Sequence, residues 1–582
     1  MDSAKTSWNH KHSPWEHRGV GSAEWIANTC RETYPDPDQA RETEAIGIPR
    51  HIQRHNALRD AMAINIQQMW FLPGNIAALL TDAYTGRSYS FAEARKLGLH
   101  FGRLLRTEWS WQKGDVLTIF SPNAIDLPPI IWGAISVGAV VSPLNPAFSA
   151  HDLRHYLEDS QAKAVVTQRA QYPVVLEAAE KAGLSASRII VIDDAVPQLW
   201  EPNPSVIPDD AYSQPHQPPI TDPKKDLVFL VYSSGTTGLP KGVMLSHFNI
   251  VANLIQSAAV DSGVLTYEDR VLACLPFFHI YGVTYLITYG VFMGMSTYVM
   301  PRFELEKFCQ AIEKYKVTYA YAVPPVILQL LENRKARKYN LSSIRMLKCS
   351  AAPLSPQLIA SLKEQFSINV RQAYGMSECS PCTHMQTWQE AQEYPGAVGR
   401  LLPNLIAKYV PVEGEKPTHA KEGELWVKGP NVFLGYYNNP KATADSFSAD
   451  GFYKTGDVGY EDSHGNFIIT DRVKELIKYN GFQVPPAELE GILLSHPAIA
   501  DVAVVGIPTG KAGSELPRAY VRARSKELES EQTAQDIQAF LKERVAYYKQ
   551  LRGGVRFIDA IPRNPSGKIL RRELRKLDTA KM

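Results

Sequence analysis

Cysteine is scarce in this sequence: Cys30, Cys274, Cys309, Cys349, Cys379 and Cys382 are the six among 582 residues. That is too few for a disulfide scaffold and fits a reducing compartment better. A surplus of one charge sign is missing too. Lysine plus arginine number 62 against 60 aspartate plus glutamate, a formal net charge of +2, without the basic excess of a dedicated nucleic-acid binder. Long apolar runs are also absent. The uncharged segments 127–149 and 281–300 are interrupted by Pro128, Pro129, Pro143 and Pro146 in the first and by Gly282, Gly290 and Gly294 in the second. Each is too short for a transmembrane span and reads as a buried helix followed by a strand. The polar stretch 1–28 lacks the apolar core of a secretory signal. No internal repeat is visible, which sets aside solenoid architectures.

What is present is an ordinary globular composition, with 45% hydrophobic and 21% charged residues. The length suggests roughly three to four folding units. Residues 1–45 carry His, Trp, Arg and Glu without periodicity and read as an N-terminal extension. His10, His12 and His17 lack the Cys or carboxylate that would complete a tetrahedral metal site. From about residue 60 strands alternate with helices: strands at 116–121 and 164–167, helices at 152–159 and 174–182. Such alternation predicts parallel sheets with crossover helices. A proline-crowded loop at 196–226 leads into an apolar strand at 227–232, and glycine-bounded strands follow at 423–429 and 465–470. Beyond residue 471 the pattern becomes a small α+β unit, with helices at 486–494 and 531–544 and strands at 501–505 and 519–523. The expected fold is therefore α/β: a large N-terminal domain of stacked sheets over 46–472, and a small α+β C-terminal domain over 473–582. The last three residues, Ala580, Lys581 and Met582, resemble a relaxed peroxisomal address. They imply a peroxisomal import receptor as partner and a peroxisomal location, with cytoplasmic as the alternative.

The strongest local signal follows the strand at 227–232. It reads Ser233-Ser-Gly-Thr-Thr-Gly-Leu-Pro-Lys-Gly-Val243. Glycines let backbone N–H groups approach an anion, hydroxyls add donors, and Lys241 adds a point charge. This is a phosphate-cradling composition but not a Walker A loop, because Pro240 stands where that motif needs glycine before its lysine.

The segment resembles the signature of the adenylate-forming superfamily of acyl- and aryl-CoA ligases, peptide-synthetase adenylation domains and beetle luciferases. The resemblance recurs in order at Leu275-Pro-Phe-Phe-His-Ile-Tyr-Gly282, Ser350-Ala-Ala-Pro-Leu354, Tyr374-Gly-Met-Ser-Glu378, Tyr453-Lys-Thr-Gly-Asp457, Asp471-Arg-Val-Lys-Glu475 and Pro565-Ser-Gly-Lys568. Lys474-Glu-Leu-Ile-Lys-Tyr-Asn-Gly-Phe-Gln-Val484 is similar to the segment of 4-coumarate–CoA-ligase-like enzymes.

The resemblance implies ATP, Mg²⁺ and coenzyme A as cofactor and co-substrates, with a small carboxylic acid joined first to AMP and then to a thiol. It makes Lys568 the residue bridging substrate carboxylate and α-phosphate, and Lys474 the hinge about which a mobile C-terminal domain turns. Ser233, Ser234, Gly235, Thr236, Thr237, Gly238 and Lys241 would hold phosphates, with Ser377 adding a hydroxyl. Glu378, with Thr237, offers hard oxygen ligands to Mg²⁺. Ala351, Ala352, Pro353, Tyr374 and Gly375 would wall the adenine, and Asp457 and Arg472 would meet the ribose. His279 would gate or orient at the thiol entrance. Lys478 and Gln483 match positions used in adenylation and thioester formation, and Gly481 would face pantetheine. Cys379, Cys382 and His384 look like a metal or redox motif but lack a fourth ligand, and are expected to form a pocket-lining loop.

The leading reading is thus an AMP-forming carboxylate–CoA ligase. An enzyme loading a separate carrier protein, a luciferase-like adenylate oxygenase and a non-catalytic relative are the alternatives. Retention of Lys241, Glu378, Asp457, Arg472 and Lys568 together argues against the last. Acyl-pocket walls are expected at 280–282, 321–325, 373–375 and 380–382, suited to an aromatic, medium-length or small branched acid.

Overall fold

The computed structural model describes residues 79–193, 222–233, 240–412, 419–472, 475–479, 482–508, 515–564 and 567–579. The N-terminal extension, much of the proline-rich loop, positions 234–239 of the phosphate loop and the C-terminal tripeptide lie outside them.

Among the described residues the strands form five sheets. The longest runs in the order Arg400–Leu401, Cys382–Met385, Val370–Gly375, Met346–Cys349, Tyr319–Ala322, Arg270–Ala273, Ser296–Val299, Leu80–Asp82, Ser88–Tyr89. Its interior pairs are parallel and its margins antiparallel. A second sheet orders Ile189–Val191, Ala164–Thr167, Val116–Phe120, Val140–Leu144, Leu227–Ser233 and Lys241–Ser246. Only its last pair is antiparallel. The interior strands read as nearly unbroken Val, Ile and Leu because parallel sheets are covered on both faces. All five residues of Val116–Phe120 are buried, as are those of Val140–Leu144. The crossover helices form where predicted, at Ala150–Ser160 and Tyr172–Lys181. The first opens on a capping box in which the Ser149 hydroxyl accepts from the Asp152 N–H while the Asp152 carboxylate accepts from Ser149.

Both uncharged segments fold as buried elements. Helix Leu127–Ser136 precedes strand Val140–Leu144, and the π-helical turn Gly282–Tyr289 precedes strand Ser296–Val299. No helix among the described residues is long and apolar enough to cross a membrane. Helix Leu127–Ser136 packs against Phe91–Trp109 at a glycine crossing: a Cβ on Gly133 would stand 2.1 Å from the Gly98 carbonyl oxygen and 3.1 Å from the Gly102 nitrogen. Only hydrogen fits there, so the two backbones touch.

A four-stranded antiparallel sheet, Ile406–Val410, Glu422–Lys428, Tyr453–Glu461 and Phe467–Arg472, closes the large N-terminal part. The smaller C-terminal part has its own apolar cluster from Ile477 to Leu551. It holds the strands Ile499–Pro508, Glu515–Ala523 and Val555–Phe557, with helices Pro486–Leu493 and Glu531–Lys542. Strands 501–505 and 519–523 of the sequence reading extend further than periodicity indicated, because the antiparallel backbone ladder continues through Gly506–Pro517 to Pro508–Glu515 without an alternating side-chain pattern.

Candidate functional site

Where the sheets meet the smaller C-terminal part, a cleft of about 1030 Å³ opens. Strand Leu227–Ser233 delivers Ser233 to its edge, paired in register with Lys241 of the returning strand. Lys241 Nζ lies 4.9 Å from the Tyr436 ring centroid. Ser234, Gly235, Thr236, Thr237 and Gly238 fall outside the described residues.

Strand Val370–Gly375 ends in the cleft with Tyr374 and Gly375, and the following turn presents Ser377 and Glu378. Glycine is required at 375, where a Cβ would lie 2.1 Å from the Pro381 carbonyl oxygen. Glu378 is buried, and the Tyr436 hydroxyl donates to its Oε1 at 2.9 Å. A single carboxylate fits a cation held mostly by a nucleotide's phosphates, as Mg²⁺ usually is. Among the described residues no three His, Cys, Asp or Glu side chains form a metal cluster. Accordingly, Cys379, Cys382 and His384 make no site: all three are buried, and Cys382 lines the cleft while His384 packs 5.0 Å from the Phe467 ring.

Asp457 and Arg472 come from neighbouring antiparallel strands and stand directly opposite each other. Arg472 Nε lies 2.6 Å from Asp457 Oδ1, and the Tyr374 hydroxyl donates to Oδ2 at 2.6 Å. The Asp457 charge holds the Arg472 guanidinium well above its ordinary pKa. Ser350 and Ala351 shape the adjoining wall, with Ala351 in the left-handed region at φ 73°. A non-glycine residue held there carries backbone strain, a feature concentrated at functional sites. Further along this loop, Ala352 and Pro353 do not line the cleft, and Pro353 is exposed.

The smaller C-terminal part supplies Lys568. Its loop is pressed against the larger part, since a Cβ on Gly567, at φ 86°, would sit 3.1 Å from Pro325 Cδ. Arg522 adds a link to Glu332 at 3.1 Å. Lys568 lines the cleft, its N–H fixed by Asn564 Oδ1 at 2.9 Å. Burial lowers its pKa, and the nearby Arg472 charge pushes in the same direction. Lys478 is exposed in strand Ile477–Tyr479 and does not line the cleft, with Gln483 opposite it in register. Lys474 and Gly481 lie outside the described residues.

His279 faces the cleft, and its Nδ1 accepts the Tyr281 backbone N–H at 3.2 Å. Burial lowers its pKa to about 4, so the ring is neutral near pH 7 with Nε2 carrying the hydrogen. Of the expected acyl walls, Ile280, Tyr281, Ala373, Tyr374, Gly375, Pro381 and Cys382 line the cavity. Tyr321 instead stands behind it, edge-on to Tyr281 with centroids 5.7 Å apart.

Among the lining residues that escaped the motif reading are Tyr436 and Lys348. Tyr436 lies beyond any recognised segment. Lys348 is a lysine inside a four-residue strand, Met346–Cys349, whose positions are all buried. A long cation in a buried strand was the available signal.

The family model of the AMP-binding enzymes matches residues 72–437, and that of the AMP-binding enzyme C-terminal domain matches 488–568. The chain is 39% identical over 485 residues to a probable 4-coumarate–CoA ligase of Dictyostelium discoideum, covering 81% of this chain and 87% of that one. It is 36% identical over 507 residues to the acyl-CoA ligase azaF of Aspergillus niger, covering 84% and 93%. Among solved structures, ATP-bound MatB from Rhodopseudomonas palustris superposes with a TM-score of 0.77 at 26% identity, covering 88% and 98%. The o-succinylbenzoate CoA synthetase of Bacillus subtilis in complex with ATP and magnesium gives 0.73 at 28% identity, covering 88% and 99%. The chain belongs to the AMP-binding enzyme family, the adenylate-forming enzymes.

Proposed function

We propose that the protein is an AMP-forming acid–thiol ligase that activates a carboxylic acid with ATP and passes the acyl group to coenzyme A. The observation that carries this reading is the convergence of Lys568, Arg472, Lys241 and Glu378 on one cleft, with Asp457 buried directly behind it. Joining a carboxylate to a triphosphate brings two anions together, and fixed cations in a site of low water content lower that barrier. In the first half the carboxylate oxygen bonds to the α-phosphorus and the bond to pyrophosphate breaks. Lys568 neutralises both partners, Lys241 and the loop after Ser233 hold phosphate oxygens, and Asp457 accepts from ribose hydroxyls. Mg²⁺, held by Glu378 and the phosphates, would supply further charge neutralisation. In the second half a thiol attacks the acyl carbon, AMP leaves with the electron pair of the broken C–O bond, and the thiol proton passes to solvent.

His279 orients rather than accepts that proton, because its Nδ1 is already engaged and its ring is a weak base. Rotation of the smaller C-terminal part about Lys474 would withdraw Lys568 and admit the thiol.

The test is release of AMP and pyrophosphate with ATP and Mg²⁺ across cinnamates, phenylacetate and fatty acids, with and without coenzyme A. CoA-dependent turnover is expected. Pyrophosphate exchange without transfer to CoA would favour a carrier-protein acceptor, and silence with every acid would overturn the ligase reading.

A further inference from the structure

Lys568 stands on a loop that joins strand Val555–Phe557 to helix Arg571–Thr579. The loop is closed on itself. Arg563 and Ile569 form an antiparallel bridge, and the Gly567 N–H donates to the Asn564 carbonyl at 2.8 Å. The Asn564 N–H in turn donates to the Lys568 carbonyl at 2.9 Å. With the bond from the Lys568 N–H to Asn564 Oδ1, these contacts set the loop's shape. They do not set its direction, because a loop bonded to itself can still pivot on its stems.

The stems are held by apolar packing, with Ile561 and Ile569 set against Ala503, Val505, Tyr520 and Leu574. The tip is tied by a side chain. Arg563 Nη1 donates to the Gly567 carbonyl at 2.9 Å, and Nη2 meets Asp501 Oδ1 at 2.8 Å. Asp501 lies on strand Ile499–Pro508, is 8% exposed, and also accepts the Val502 N–H at 2.9 Å. One guanidinium therefore spans from the peptide next to Lys568 to a buried carboxylate on the sheet. Its planar fork serves both acceptors at fixed angles, which a lysine ammonium on a flexible stem does not. Opposite Asp501 in register stands Arg522, which reaches Glu332 of the larger part at 3.1 Å. The anchor thus sits beside a contact between the two parts.

Resting on the ligase reading, we propose that Arg563 is a positioning residue for acyl-AMP formation: it pins the Gly567–Lys568 peptide to Asp501 and so aims the Lys568 ammonium into the cleft. Arg563 does not line the cleft itself, whereas Asn564 and Lys568 do. It acts through Lys568. A lysine side chain carries about 2 kcal/mol of rotamer entropy, so a fixed backbone leaves only the side chain to be ordered when the reactants meet. A misplacement of about 1 Å originating away from the reacting atoms can cost on the order of 10²-fold in rate. Once the smaller part has rotated and Lys568 is withdrawn, the same anchor has nothing to aim.

The experiment measures the two half-reactions separately in the full-length protein, with the acid that gives the fastest pyrophosphate release. Single-turnover acyl-AMP formation is compared with thioester formation from synthetic acyl-AMP for Arg563→Met, Arg563→Lys, Asp501→Asn and the double variant Arg563→Met/Asp501→Asn. Thermal melts verify folding. Arg563→Met should slow acyl-AMP formation by about 10²-fold, while KM for ATP and for the acid and the thioester half stay within a few-fold of wild type. Arg563→Lys, which can reach one acceptor at a time, should fall between the two. Asp501→Asn should slow the same half less, and the double variant should be no slower than Arg563→Met, because Asp501 works through Arg563. Should Arg563→Met fail to fold around an unpaired Asp501, the double variant removes that charge and carries the same comparison.

Equal loss in both halves overturns the proposal, since a purely structural role would lower them together with the melting midpoint. A folded Arg563→Met that forms acyl-AMP at the wild-type rate overturns it as well. So does a double variant slowed by the full product of the two single effects, because Asp501 and Arg563 would then act independently. A wild type that is silent toward every acid removes the ligase reading itself, an outcome distinct from an active enzyme indifferent to Arg563.

Discussion

The Tyr374 hydroxyl lies 2.6 Å from Asp457 Oδ2, while Arg472 occupies Oδ1 at the same distance. The carboxylate assigned to the ribose is therefore held from both sides, and its direction is set before any nucleotide arrives. Preorganisation of this kind lowers the cost of ordering a binding group. Tyr374→Phe keeps the ring and removes one bond to a charged acceptor, a loss of roughly 1.5–3 kcal/mol. KM for ATP is expected to rise by about tenfold, with the acid's KM little changed. Steady-state kinetics with each substrate varied separately checks this, and a selective effect on the acid would reassign the residue.

Lys568 tests the division of labour between the two half-reactions. Its loop carries Gly567 at φ 86°, packed on Pro325. Lys568→Ala removes the cation but leaves that contact. Acyl-AMP formation should fall by at least 10³-fold, in keeping with loss of a transition-state charge partner. Thioester formation from synthetic acyl-AMP should remain within a few-fold of wild type. Equal loss of both halves would show that Lys568 holds the domains together instead.

The Gly98–Gly133 crossing makes a prediction about the fold alone. Gly133→Ala places a methyl 2.1 Å from a carbonyl oxygen, and the nearest neighbours are backbone atoms that cannot rotate away. The helices must separate, at a cost of roughly 1–3 kcal/mol or more. A thermal melt should show a clear fall in midpoint, whereas Gly183→Ala, with no atom within 4 Å of its Cβ, should lose only what φ 73° demands.

Legibility in the sequence followed the range of the interactions. Capping boxes, apolar alternation and glycine-bounded strands are local, so the helix at Ala150–Ser160 and the strand at Ala164–Thr167 could be read within two residues. Asp457 and Arg472 were named from ordered motifs, yet their pairing with Tyr374 depends on two strands and a sheet edge 83 residues apart in sequence. The surroundings of Lys348 were invisible for the same reason. Nothing within its strand reveals that Tyr285, from a π-helical turn, supplies a ring face and no acceptor. Ala351 is named by its motif, but alanine gives no sign that its backbone must adopt a positive φ.

Acid should destabilise the protein through its neutral histidines. His247 and His384 are each 1% exposed, and burial lowers the pKa of both to about 3. In the unfolded chain each titrates near 6.5. Between those values the unfolded state binds more protons, so stability is complete above about pH 6.5 and falls as pH drops toward 3, by roughly 1.4 kcal/mol per pH unit for each histidine. His384 packs between Tyr374 and Phe467 at 5.8 and 5.0 Å, a setting that accepts another ring. His384→Phe should therefore retain the fold and remove one histidine's share of the slope. Unfolding midpoints from pH 7 to 4.5 would show the variant losing less than wild type as the solution is acidified. Parallel curves would mean that His384 is charged in the folded protein, in conflict with its burial.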